Sequence, residues 1–550
     1  MNSGIMKRRY PEKDRVLLVN ITRLGDMLQA TPTIAGMKME NPDCKITVLV
    51  EKQFEGICNI IPNIDEIVGI DLGMTVRSLA REQDGIIDAY EYVSEVVDDL
   101  RIKNFDYCLN MSSSAYTAIL LNLLGIKRRG GWASDEEGYR VIESEWARLF
   151  ATSVFHQNRQ FNSLNLVDVF RCSADVEQHP KKLLVDVPQD ASDYIDNLLR
   201  EAAFTTEGPL IAVQAGASQG KRQWATEKFI ELIDHLTYKY KARVVLTGTK
   251  KELPIIEPIK AGCRSENVFV VAGRTNLPQL AALLQKSAIL VTGDTGPMHM
   301  SVAVGTPVVS MFLASAYGYE TGPYSEGNLI LQPVIECGPC NPNKDCARPD
   351  CHDQIDPQAL AELVAMRIER DVKNLPQGLF DPARVIVYRS FFDQFGFCDL
   401  ESINTSAGDP WQRYRNAYRK LWLDDLGGFP IEQENKPETK ILQVAEEFPG
   451  INEITSRAEK GRALIDRLLE LIRDTSSEPR LLGQVSEKLS ELDREIEQIG
   501  YHFAPLGPLT RMFIFAKENL SGTDAAGLAS QMGRVYDDLK RRSRKLVEYY

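Results

Sequence analysis

Two glycine loops and a cysteine cluster carry the residues of this 550-residue chain best suited to chemistry. The first loop, Thr22-Arg23-Leu24-Gly25-Asp26, follows a short apolar run, Arg15 to Asn20. Open parallel sheets bind ligands at such places, so Asp26 can act as a proton acceptor there or simply cap the next helix. The second loop, Gly293-Asp294-Thr295-Gly296-Pro297-Met298-His299, also follows an apolar run. Thr295 or Gly296 can cap a helix whose first turn takes Pro297, and glycine lets the backbone come close. Free N–H groups and the helix dipole would then face a phosphate. His299, in that first turn, can donate to the phosphate or pack beneath the loop.

Between these loops, Ser218 follows Gly216-Ala217, and Lys221 and Arg222 supply positive charge for an anion. Glu252 can accept from ribose hydroxyls, as an acidic residue does in dinucleotide folds, or stand as an ordinary exposed helix residue. Residues 128–162 gather Arg128, Arg129, Trp132, Arg140, His156 and Arg159, which suit an anionic sugar or phosphate as well as they suit a solvated surface. Cys337, Cys340, Cys346 and Cys351 read C-x2-C-x5-C-x4-C, with His352 beside the last. Thiolates this close can encircle Zn or Fe, the alternatives being disulfides or free thiols. The other six cysteines are scattered and read as small buried groups.

The elements that position these residues alternate in type. Runs such as RVLLVN, KITVLV (45–50) and FDYCLNM (105–111) alternate with helical stretches, as in a parallel sheet. A second series begins at Leu210 with LIAVQ, RVVLTG, VFVVAG, AILVTG and PVVSMF, each short, apolar and closed by a loop. Two doubly wound, Rossmann-like domains facing a cleft follow. From about Asp371 the pattern turns aromatic and irregular around one strand-like run, Arg384 to Tyr388. Beyond Thr439 it is helical, with stripes at Val485, Leu489, Leu492, Ile496 and Ile499, and at Leu528, Met532, Val535 and Leu539. The predicted domains are 1–190, 191–370 with the Cys-rich loop 337–352, a linker over 371–438, and a helical extension over 439–550.

The bulk properties narrow the function classes. A net charge of -13 disfavours broad binding to nucleic acid, so any phosphate must meet a local basic site. No apolar run approaches the ~20 residues that span a bilayer, and the start MNSGIMKRRYPEKDR has no apolar core after its basic residues. A cytoplasmic location is the expectation, with peripheral contact at the inner membrane as an open extension.

The two loops together resemble the signatures of family 9 glycosyltransferases, the heptosyltransferases of lipopolysaccharide core synthesis, over about Arg15 to Ile355. This resemblance implies the two-domain GT-B architecture and an inverting, metal-independent transfer of a sugar, heptose from ADP-heptose, to a glycan or lipid-linked glycan acceptor. Asp26 would be the base, and Arg23, Arg128 and His156 would lie on the acceptor side. Ser218, Lys221 or Arg222, Glu252, Asp294, Thr295, Gly296 and His299 would bind the donor. The family usually has Lys two positions before the Trp, where this chain has Arg222, with Lys221 beside it. Similar cysteine-rich loops occur in some members, so the four cysteines are expected to form a structural Zn or Fe knuckle that catalysis does not need. The alternatives are a non-catalytic nucleotide-sugar binding or assembly protein, and a transferase acting on a protein acceptor.

Overall fold

The computed structural model describes residues 15–550 except 82, 136, 156, 339, 342, 347, 405–408, 410, 432–446, 475–477 and 523. The chain forms two compact units, one from residues 1–130 and 164–409, the other from 131–163 and 410–550.

The first unit holds two parallel-rich sheets, each with helices in its crossovers. In one, β1 (Arg15–Asn20), β2 (Lys45–Glu51), β3 (Glu66–Ile70) and β4 (Tyr107–Asn110) lie in the order β3-β2-β1-β4, all parallel. Val16 to Val19 of β1 and Val48 to Val50 of β2 are fully buried, because a parallel strand covered on both faces has no solvent side. β5 (Arg129–Ser134) and β6 (Arg140–Ile142) pair as an antiparallel hairpin that, apart from Arg129 and Gly130, belongs to the second unit. The other sheet is built from β7 (Leu210–Gln214), β8 (Arg243–Thr247), β9 (Val268–Val270), β10 (Ile289–Gly293), β11 (Val308–Met311), β12 (Leu329–Pro333), β13 (Val385–Phe392) and β14 (Cys398–Ser402). Its order is β14-β13-β12-β11-β10-β7-β8-β9, with its core over Ile211, Val213, Leu246, Val291, Val309 and Leu331.

Residues 371–438, expected to be a linker, differ from that expectation. β13 and β14 extend the second sheet antiparallel beyond β12. Their aromatic and β-branched residues fit a strand, and the turn between them is closed by Asp393 Oδ1, which accepts from the backbone N–H groups of Phe395 and Phe397 at 2.9 Å each. A helix over Gln412–Asp425 follows and belongs to the second unit.

The second unit is mostly helical, from Glu145–Ser153, Gln412–Asp425, Ile451–Arg473, Pro479–His502, Gly507–Glu518 and Ala525–Tyr549. The predicted stripe residues Leu489, Leu492, Ile496, Ile499, Val535 and Leu539 are buried. Two long helices approach closely at Gly461, where an added Cβ would stand 2.3 Å from Tyr536 Cε1. Residues 131–163, read from sequence as part of the first domain, belong here instead. Phe161 packs edge-on to Trp411 at 5.4 Å, Arg415 donates to the Gln160 carbonyl at 3.1 Å, and Arg419 donates to that of Ser163 at 2.6 Å. Contacts to residues some 250 positions away are invisible to a local reading of sequence.

Candidate functional site

A cavity of about 470 Å³ in the first unit is lined from both sheets. Arg23, Gly25, Asp26, Gln29 and Phe54 come from the loops and helices after β1 and β2. Ser218, Arg222, Glu252, Asp294, Thr295, Gly296 and His299 come from those after β7, β8 and β10. All these segments leave the carboxyl ends of parallel strands, where open α/β sheets place their ligands.

Asp26 lies in the first turn of the Leu24–Gln29 helix, and that helix start receives no side-chain cap. The capping role open to Asp26 is therefore unused. Its carboxylate accepts from the Thr22 hydroxyl, which also lies 3.0 Å from Asn20 Oδ1. Burial raises the Asp26 pKa above the usual carboxylate value, and nearby Asp294 adds to this, while Thr22 and Arg23 oppose it. A carboxylate raised in this way is a stronger proton acceptor once ionised.

Across the cavity, the Gly296–Ala303 helix starts at Thr295, with Pro297 in its first turn and again no side-chain cap. The Thr295 hydroxyl pairs instead with that of Thr292 at 2.9 Å. The end of the helix dipole thus remains available to an anion. Arg222 stands beside it, donating through Nη1 to Asp294 Oδ2 at 3.1 Å and through Nε to Ser315 Oγ at 2.9 Å. Asp294 Oδ1 accepts from Thr321 at 3.1 Å. This network fixes a guanidinium at the cavity wall.

Glu252 sits in a slot made by two glycines. A Cβ on Gly216 would stand 1.6 Å from Glu252 Oε1, and one on Gly248 would stand 3.1 Å from Oε2. Its Oε1 accepts from Gln214 Nε2 at 3.0 Å, and its Oε2 accepts from the Thr249 backbone and hydroxyl at 2.7 and 2.8 Å. The side chain is thus held at the cavity and is not the free surface residue that one reading allowed.

His299 packs beneath the first loop, 4% exposed, and a Cβ on Gly25 would meet its Cδ2 at 3.0 Å. Burial pushes its pKa down to about 4, against the pull of Asp294, so the ring is neutral near pH 7. Gly296 meets Leu24 the same way, with 2.8 Å between an added Cβ and Leu24 Cδ2. Glycines in the two motifs thus let the helix starts interlock.

The structure separates Lys221 from Arg222. Lys221 Nζ donates to the carbonyls of Asn341 at 3.0 Å and Lys344 at 2.6 Å, while its own carbonyl lies 2.9 Å from His352 Nε2. Its charge serves the Cys-rich loop, and it does not line the cavity. Arg23 and Ser218 line the cavity with exposed side chains. Arg128 does not, lying 5.9 Å from the Tyr107 ring centre. His156 falls outside the described residues.

The four cysteines of the cluster are neighbours: Cys340 is pushed up to about 11 by burial and by Cys337, Cys351 and Cys346. Thiols that perturb one another are a suitable donor set for a soft metal. Among the described residues, however, no three His, Cys, Asp or Glu side chains are drawn into a group that could hold one.

Gln29, Phe54, Gln214 and Thr321 were not singled out from sequence. Gln29 follows Asp26 by three residues, so a shared helix face was legible. Gln214 is a polar residue ending an otherwise apolar strand, which also marks a ligand-facing position. Phe54 and Thr321 carry no such local signal.

The sequence pattern of glycosyltransferase family 9 (heptosyltransferase) matches residues 93–349, which excludes the Asp26 loop. Lipopolysaccharide heptosyltransferase 3 of Escherichia coli K12 is 24% identical over 298 residues, covering 53% of this chain and 80% of that protein. A lipopolysaccharide core heptosyltransferase of Haemophilus influenzae is 27% identical over 337 residues, covering 60% of this chain and 87% of its own. The crystal structure of a family 9 glycosyl transferase from Veillonella parvula superposes with a TM-score of 0.52 at 16% identity. It covers 65% of this chain and 98% of its own, a likeness of fold.

Proposed function

Because this chain belongs to the family 9 glycosyltransferases through residues 93–349, we propose that it moves heptose from ADP-heptose to a sugar of lipopolysaccharide core or a related glycan. One observation carries the reading: a half-buried carboxylate, Asp26, shares a cavity with an anchored guanidinium, Arg222, and an uncapped helix start. The relatives' names supply heptose and the lipopolysaccharide acceptor.

In the reaction Asp26 takes the proton of the acceptor hydroxyl as its oxygen attacks the anomeric carbon. The bond from that carbon to the diphosphate oxygen breaks on the opposite face, so configuration inverts. The bonding electron pair leaves on the diphosphate, where Arg222 and the first turn of the Gly296–Ala303 helix stabilise it. Glu252 accepts from ribose hydroxyls, and the raised pKa of Asp26 brings it nearer the basicity proton transfer needs. Neutral His299 supports the loop and adds no charge.

No helix among the described residues is long and apolar enough to cross a membrane. A lipid-linked acceptor would instead bring the protein to the cytoplasmic membrane surface from outside the bilayer. The cysteine loop is proposed as a structural Zn or Fe knuckle whose donors are Cys337, Cys340, Cys346 and Cys351. Elemental analysis of protein purified without chelator, with the four-serine variant as control, tests it. Metal content equal in the two would remove the proposal.

Calorimetric titration with ADP, UDP, GDP and CMP tests the donor, and transfer by Asp26→Ala tests the base. Preference for ADP, with transfer lost and ADP binding kept in the variant, is the expected result. Preference for UDP or GDP would discard heptose, and undiminished transfer by Asp26→Ala would refute the base. Nucleotide binding by the wild type without transfer would leave a non-catalytic binding protein.

A further inference from the structure

Gln29 ends the helix that carries Asp26, three residues on, so the two side chains lie on neighbouring positions of one face, about 5–6 Å apart at Cβ. Both line the cavity. Gln29 is only 1% exposed, and its Nε2 has no hydrogen-bond partner. Buried amides are normally satisfied, and an orphaned donor is destabilising. Two buried nitrogens lining the cavity are left this way among the described residues, Gln29 Nε2 and His299 Nδ1. Gly25 packs on the Cδ2 edge of His299 and not on its Nδ1; of the two orphaned nitrogens, that of Gln29 is the one carried on the Asp26 helix.

The elements around Gln29 indicate what it would meet. It belongs to the β1 side of the cavity, with Asp26 and Arg23, whereas Arg222, Glu252 and the Gly296–Ala303 helix line the opposite side. A group beside the base but away from the diphosphate ligands faces the nucleophile. An amide presents a donor and an acceptor together, which matches a sugar hydroxyl, itself both donor and acceptor.

Resting on the transferase reading above, we propose that Gln29 binds the acceptor sugar, its side-chain amide hydrogen-bonded to a hydroxyl next to the one that Asp26 deprotonates. It orients the nucleophile and helps select the acceptor, and the orphaned amide is the stability cost of an empty site.

The experiment uses the full-length protein with ADP-heptose as donor and core oligosaccharide released from lipopolysaccharide as acceptor. Wild type is compared with Gln29→Leu and Gln29→Glu. In Gln29→Leu the KM for oligosaccharide is expected to rise about 10-fold. ADP affinity should hold, and Tm should stay at or above that of the wild type, because an unsatisfied buried donor is gone. In Gln29→Glu a second carboxylate beside Asp26 should move the acid limb of the pH–rate profile to higher pH. An unchanged oligosaccharide KM in Gln29→Leu, with active wild type, overturns the proposal, as does a fall in Tm accompanied by lost ADP binding. Wild type that binds ADP but transfers nothing overturns the transferase reading and this inference with it.

Discussion

Arg222 Nη1 stands 3.1 Å from Asp294 Oδ2, with both side chains 13% exposed, so the cation assigned to the departing diphosphate is neutralised while it waits. Asp294 also raises the pKa of Asp26 through its charge. One carboxylate is therefore coupled both to the leaving-group cation and to the base. Asp294→Asn should remove the repulsion and shift the acid limb of kcat/KM to lower pH, as a pH–rate profile of transfer would show. A limb that stays put would deny the coupling.

The base has its own pH signature. Transfer requires ionised Asp26, and burial holds its pKa above the ordinary carboxylate value. Activity should therefore begin to fall at a higher pH than an exposed aspartate would dictate. Asp26→Asn should lower kcat by at least about 100-fold at every pH, since a positioned general base contributes roughly 10²–10⁴. Calorimetry should find its ADP affinity within a factor of a few of wild type.

Lys221 and Arg222, adjacent in sequence, should behave differently. Arg222→Ala should weaken ADP binding by about 2 kcal/mol, or roughly 30-fold, the scale of a charge-assisted hydrogen bond. Lys221→Ala should leave ADP affinity nearly unchanged and lower Tm instead, because its ammonium holds the carbonyls of Asn341 and Lys344. Titration calorimetry and thermal unfolding on both variants check this, and equal loss of ADP affinity would contradict it.

A single methyl group should disable the nucleoside end of the cavity. In Gly216→Ala the new Cβ would fall 1.6 Å from Glu252 Oε1 and 2.9 Å from Gln214 Nε2, so Glu252 must leave its slot. ADP affinity should drop as far as in Glu252→Ala, and combining the two substitutions should add little. Additive losses in the double variant would place Glu252 elsewhere in the mechanism.

The second unit should be sensitive to acid at Asp425. Burial opposes ionisation of its 1% exposed carboxyl, but Arg542 at 2.6 Å and Arg541 at 2.8 Å outweigh this and hold the pKa below the usual value. A depressed folded pKa stabilises above the unfolded value of about 4 and loses that contribution as pH falls through the folded one. Asp425→Asn should cost about 1.5–3 kcal/mol, because the buried Arg542 keeps only Glu145 as a carboxylate partner, while Arg541, 45% exposed, keeps Asp538. Its Tm should no longer fall with acid as steeply as that of the wild type.

Much of the first unit was legible because its strands are buried on both faces and therefore read as unbroken apolar runs. The Gly-Asp loops at Gly25 and Gly293 could be placed from the strand that precedes each. The choice between Lys221 and Arg222 could not be read, since it depends on the carbonyls of Asn341 and Lys344, more than a hundred residues further along. The same holds for residues 131–163, whose place is set by Trp411, Arg415 and Arg419. The β13–β14 hairpin was half visible: Arg384 to Tyr388 announced a strand, but its partner shows only when Asp393 is seen to close the turn.

The second unit is made from chain segments separated by the whole of the second sheet. During synthesis residues 131–163 leave the ribosome before the second sheet, with Phe161 lacking the Trp411, Tyr414 and Tyr418 rings it packs on, and residues 410–550 follow only after that sheet. Local hairpins can form at once, but this unit must wait for residues 410–550. A shortened gene that stops after β14 would therefore yield no minimal enzyme, only a nascent chain with an uncovered aromatic surface of the kind that recruits chaperones and aggregates.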